Sequence, residues 1–164
     1  MDFKNVLPEA LLRDVERYIA ENYVDLCAFA ACEPMPVYAS KASSLEDILK
    51  QEDAGFTETL LRRIDESGRK DAEVYKKAGL TKQHFSKIRN NPHYKPTKPT
   101  ALALAVALEL DLDGTKDLIG RAGYALTNSS KFDLIVRYFI EQGNYDVVEI
   151  NMVLYKFDQP LLCS

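Results

Sequence analysis

Tryptophan is absent from this chain of 164 residues, which holds only two histidines, three cysteines and seven glycines. Three cysteines cannot build a disulfide framework. Cys27 and Cys32 have no second Cys or His pair nearby to complete a zinc site, so these two and Cys163 read as structural thiols. No apolar run approaches the ~18 residues of a membrane span. The opening stretch, MDFKNVLPEALLRDVERY, carries early charges and lacks an apolar core with a small-residue cleavage site. No signal peptide is therefore expected, and the expected location is cytoplasmic. Catalytic signatures are missing too. There is no glycine-rich phosphate loop of the right spacing, no HExxH and no Ser/His/Asp set. The acidic pairs Glu46–Asp47 and Glu52–Asp53 are adjacent, so on a helix they point to different faces. A non-catalytic protein with no cofactor and no metal is the expectation.

What is present is ordinary globular material, 46% apolar and 28% charged. The formal charge of −4 conceals an uneven distribution. Residues 1–66 hold seven Lys/Arg against fourteen Asp/Glu, and residues 99–164 hold five against nine. Between them, residues 67–98 hold nine basic side chains against two acidic ones, Asp71 and Glu73. Both histidines, His84 and His93, fall in that same segment. A basic stripe in an acidic chain is the footprint of a face that meets phosphate, or else a solvated surface neutralised by its flanks.

Every strongly periodic segment is helical in period. From Pro8 to Tyr23, the residues Leu11, Leu12, Val15, Ile19 and Tyr23 form one apolar stripe, and Pro8 suits a first turn. A capping box, Ser43 to Glu46, opens a short helix before Gly55. Phe56, Leu60, Leu61 and Ile64 share a face of the next helix, which Gly68 ends. DAEVYKKAG predicts a short helix closing at Gly79. TKQHFSKIRNN predicts another, capped by Thr81 and ending in Asn90 and Asn91, residues that tolerate a left-handed cap. TALALAVALEL is apolar nearly all round and predicts a buried helix. Leu118, Ile119 and Ala122 face inward in the one after it. Two further helices follow, the first with the stripe Phe132, Ile135, Val136, Phe139 and Ile140. The expectation is an all-α protein. It has an acidic N-terminal helical extension (1–54), a compact five-helix module (55–125) and a C-terminal helical pair packed on it (126–164).

Within KKAGLTKQHFSKIRNN, Gly79 supplies the positive φ that a tight interhelical turn needs. Leu80, Phe85 and Ile88 give the second helix a hidden face, and polar side chains occupy the rest. This segment resembles the helix-turn-helix of the lambda-repressor-like, or Xre, family. The downstream KPTALALAVALELDLDGTKDLIGRAGY is similar to that family's fourth and fifth helices, so the resemblance spans roughly residues 56–124. Two positions depart from the family pattern. Asp71 stands where a phosphate-contacting Gln is usual, so Arg69 and Lys70 beside it would have to compensate. Tyr75 stands where a small residue lets the helices cross closely, so either the crossing widens or the ring turns outward.

The resemblance implies a double-stranded-DNA-binding regulator whose second helix, about residues 81–90, enters the major groove. Base contacts would come from Lys82, Gln83, His84, Ser86 and Lys87: Gln83 bidentate to adenine, Lys82 or Lys87 to guanine. Arg69, Lys70, Arg89, Lys95 and Lys98 would hold phosphates. A homodimer would give a useful site size, built from the residue 8–23 helix or the C-terminal pair. The alternative expectation is a non-catalytic adaptor or inhibitor. It would keep the fold and dock on an acidic or nucleic-acid-binding protein without reading DNA.

Overall fold

Residues 7–25 and 54–163 are described by the computed structural model of this chain. Among them every regular element is an α-helix and there is no strand. In chain order these are α1 (Glu9–Asn22), α2 (Phe56–Ser67), α3 (Asp71–Lys77), α4 (Lys82–Asn90), α5 (Lys98–Ala107), α6 (Leu112–Arg121), α7 (Lys131–Glu141) and α8 (Val147–Lys156). The expected helix opening at Ser43, and Cys27 and Cys32, lie outside the described residues.

The buried centre is α5. All eight residues from Thr100 to Ala107 are buried, because LALAVA offers apolar side chains on every face. Helices α3, α6 and α8 pack against it. Around this axis α2 meets α4 and α6, while α7 meets α1, α6 and α8. The expected stripe of α7 is core throughout, with Phe132, Ile135, Val136, Phe139 and Ile140 all buried. Leu118, Ile119 and Ala122 are buried as well. The two C-terminal helices therefore continue the same hydrophobic cluster that holds α2 and α4.

Helix ends follow local chemistry. Four interhelical reversals, after α2, α3, α6 and α7, place Gly68, Gly79, Gly123 and Gly143 at positive φ. After α5 the same reversal uses Glu109 at φ 55, closed by bonds from the Glu109 and Leu110 amides to the carbonyls of Val106 and Ala105. A left-handed glutamate carries a steric cost of about 1–2 kcal/mol that glycine would not. Its side chain, however, has a task that glycine lacks.

Three local expectations are corrected. Pro8 precedes α1 as its extended cap and does not sit in the first turn. Tyr23 follows the last turn of α1 and is exposed; Tyr18 anchors the helix instead, 5.3 Å from the Tyr138 ring and donating to Glu141 Oε2 at 2.7 Å. Asn91 ends α4 in an extended conformation (φ −120, ψ 103), not a left-handed one. Pro92 follows it, and a proline ring pushes its predecessor into the extended region.

Candidate nucleic-acid interface

Helices α3 and α4 are joined by a short reversal, Ala78 to Thr81. The amides of Gly79 and Leu80 bond back to the carbonyls of Lys76 and Tyr75, and Gly79 stands at φ 76. Thr81 then caps α4, its hydroxyl accepting the His84 amide at 3.1 Å. At the far end of α4, the buried Thr57 hydroxyl of α2 lies within donating distance of the carbonyls of Ile88 (3.3 Å) and Asn91 (3.0 Å). Both ends of the nine-residue helix are thus tied down. Phe85 and Ile88 are buried, and the half-buried Tyr75 ring lies 5.7 Å from Phe85 at an interplanar angle of 38°. Tyr75 thus packs onto a core residue of the next helix. The two aromatic rings fill the crossing of α3 and α4 together.

The outer face of α4 carries Lys82, Gln83 and Lys87, all exposed, with Ser86 half-buried beside them. No acidic residue occurs in α4. His84 stands apart from this group. Its Nε2 is 3.0 Å from the Tyr94 hydroxyl, across a 6.3 Å edge-to-face contact, so the imidazole fastens the loop after α4 to the helix start.

Of the five side chains expected at phosphates, Arg69, Arg89 and Lys98 are engaged with carboxylates of the fold. Arg69 donates to the Ala107 carbonyl at 2.7 Å and pairs with Glu109 at 2.7 Å, clamping the loop before α3 to the C-terminus of α5. Lys77 joins the same carboxylate. The hydrogen bonds from Lys77, and next from Arg69, hold the Glu109 carboxyl below its ordinary pKa. This clamp is the task of the left-handed glutamate. Arg89 pairs with Asp71, so the carboxylate at the start of α3 is compensated from α4 and not by its neighbours Arg69 and Lys70. Lys98 is 2.7 Å from Asp133 Oδ2. That side chain is 1% exposed and also accepts the Thr127 amide at 2.9 Å and the Thr127 hydroxyl at 3.1 Å. Lys70 and Lys95 are exposed and make no ion pair among the described residues. Lys70 uses its backbone amide to bond Glu73 Oε2 at 3.1 Å.

Sequence reasoning passed over Glu109, Tyr94 and Asp133. Asp133 had a legible local signal: Ser130 precedes it by three, the spacing of an N-cap, and the Ser130 hydroxyl accepts the Asp133 amide at 3.3 Å. The C-terminal tail was also missed. Leu162 is buried, and its amide donates to Asn151 Oδ1 at 2.8 Å. Leu161, Leu162 and Cys163 close one side of a small cleft whose other walls include Gly79, Thr81 and His84. A methyl group built on Gly79 would stand 3.3 Å from Cys163 Cβ, so a bare backbone suits this approach as well as the turn. Burial pushes the Cys163 thiol up to about 11, which leaves it protonated and unreactive at neutral pH.

No described helix is long and apolar enough to cross a membrane, and no described group of His, Cys, Asp and Glu is arranged to hold a metal ion. No family model matches the chain, and neither a curated protein nor a solved structure matches it.

Proposed function

We propose that α2–α6 form a lambda-repressor-like helix-turn-helix domain that binds double-stranded DNA through the exposed face of α4, as a transcriptional regulator. The supporting observation is a division of labour among the cations. Arg69, Lys77, Arg89 and Lys98 are engaged with carboxylates, whereas Lys82 and Lys87 stand with the neutral Gln83 on one outer face, with no acidic residue in their helix. In this reading Gln83 and the two lysines meet base edges in the major groove. Ser86 lies between them, half-buried, within reach of a base or a sugar. Lys70 and Lys95, exposed at the start of α3 and in the loop after α4, hold phosphates. Asp71 does not oppose this, because its charge is returned to Arg89 within the fold.

Amide chemical shifts provide the test. A mixed-sequence duplex added at low salt should move the resonances of α4, Lys70 and Lys95 while leaving α1 and α8 unmoved. Shifts confined to other helices would refute this assignment of the face.

A second reading has one observation in its favour. With four of the nine cations of residues 67–98 engaged internally, the remaining positive face is small and also fits an acidic protein surface. An adaptor of that kind would bind its acidic partner without affinity for the duplex.

A further inference from the structure

The exposed large apolar side chains among the described residues fall into two places, the end of α1 and one face of α8 with the tail that follows. On α8, Val148 is 65% and Tyr155 66% exposed, and Met152 lies between them at spacings of four and three, which puts all three on one face. Leu161, 37% exposed, folds back to border the same shallow groove. Polar atoms are scarce there. A stripe of this kind on a helix whose opposite face is core is a place where a second surface belongs.

The charges beside the stripe say which surface. Glu149 follows Val148 and Lys156 follows Tyr155, so both lie on the same flank of the stripe, two turns apart. A two-fold axis perpendicular to α8 at Met152 reverses the helix end for end and keeps that flank on the same side. It sets Val148 against Tyr155 of a second copy, and Glu149 against Lys156 of that copy, each contact occurring twice. Apolar pairs and ion pairs share one register centred on Met152.

We infer that the Val148–Met152–Tyr155 face of α8 is a homodimer interface, formed antiparallel about Met152 with a second copy of this chain. The inference holds whether or not α4 meets DNA. A ten-residue helix is only ~15 Å long, and such a pair with the flanking tail falls short of the ~800 Å² per partner of a standard interface. The dimer is therefore weak and reversible, with dissociation in the range of tens of micromolar or above.

Sedimentation equilibrium of the full chain tests this without DNA. The wild type should pass from monomer at about 1 μM toward dimer at several hundred micromolar. Met152→Glu should be monomeric throughout, with unchanged circular dichroism because the site is on the surface. Lys156→Glu, which sets two carboxylates against each other twice, should weaken the dimer by about tenfold at low salt. Both effects are required. A wild type that stays monomeric, or a dimer indifferent to either substitution, overturns the proposal.

Discussion

Lys98 and Lys87 are the same residue type in the same basic segment, yet they do different work. The Lys98 ammonium compensates a carboxylate that is 1% exposed, and replacing it strands that charge. Removing one partner of a buried pair typically costs about 3–5 kcal/mol. Lys98→Ala should accordingly lower the melting temperature by roughly 10 °C, at about 2–4 °C per kcal/mol for a chain of this size. Lys87→Ala, at an exposed site without an ion pair among the described residues, should stay within about 0.5 kcal/mol of wild type. Thermal unfolding of the two variants side by side checks the difference. Equal losses would mean that the Lys98–Asp133 contact contributes nothing to the fold. Charge counting cannot make this distinction, because it registers types and not partners. Asp133 is 35 residues beyond Lys98 and meets it only once α7 has docked beside the start of α5.

At the scale of elements, three carboxylates join helices that are distant in sequence. Glu109 ties α5 to the loop before α3. Asp117 on α6 reaches Arg63 on α2 at 3.4 Å. Glu141 on α7 receives the Tyr18 hydroxyl from α1 and Arg137 Nε at 2.8 Å. All three carboxyls titrate below their ordinary values. Lys77 and then Arg69 lower Glu109. For Asp117 and Glu141 burial acts upward and is the largest single influence, but hydrogen bonds from Arg121 and Arg63, and from Tyr18 and Arg137, outweigh it. A carboxyl whose folded pKa is depressed gives its stabilisation in full above the unfolded value and loses it as pH falls through the folded one. Stability measured by urea unfolding should therefore be flat near neutrality and decline below the ordinary carboxylate range. Stability that rises on acidification would contradict the clamps. Tyr18 works in the opposite sense. Burial, and next the bond to Glu141, raise it from 10.0 to about 12, so its contribution is present below 10 and is lost only as pH rises toward 12.

The helices themselves were legible because their information is local. Apolar spacing gives the stripes of α2 and α7, the all-round apolar run marks α5 as buried, Thr81 announces the start of α4, and Gly79 announces the turn. What local pattern cannot carry is the choice of partner across the fold. Arg69 and Arg89 were expected at phosphates because the helix-turn-helix resemblance implied that role. The two carboxylates that hold them come from Glu109 and from Asp71, the residue that seemed an obstacle. The Tyr75–Phe85 packing was half visible, since a bulky residue at position 75 signalled a wider crossing or an outward ring without saying which.

Over the whole molecule, the C-terminal helices and the tail are part of one core. Leu134, Ile135, Val136 and Phe139 of α7 and Ile150, Val153 and Leu154 of α8 are fully buried against the same cluster as α2–α6. A chain ending at residue 125 would bare that surface and lose the Lys98 partner. It should show a broad, non-cooperative thermal transition by circular dichroism, where the full chain melts sharply. A sharp transition in the shortened chain would make the C-terminal pair a separable appendage. The fixed C-terminal part also defines what surface is left for a partner. It covers α5 and one side of the α3–α4 turn, and leaves the outer face of α4 open.

That open face carries the central claim, and a salt titration of duplex binding addresses it most directly. Fluorescence anisotropy with a labelled mixed duplex should give binding at low salt whose logarithm falls linearly with the logarithm of salt concentration, by ~0.9 per phosphate neutralised. Lys82→Ala/Lys87→Ala should weaken binding by at least tenfold while its melting curve overlays the wild type. No binding by the folded wild type at any salt, or binding unchanged by the double substitution, would contradict DNA recognition through α4.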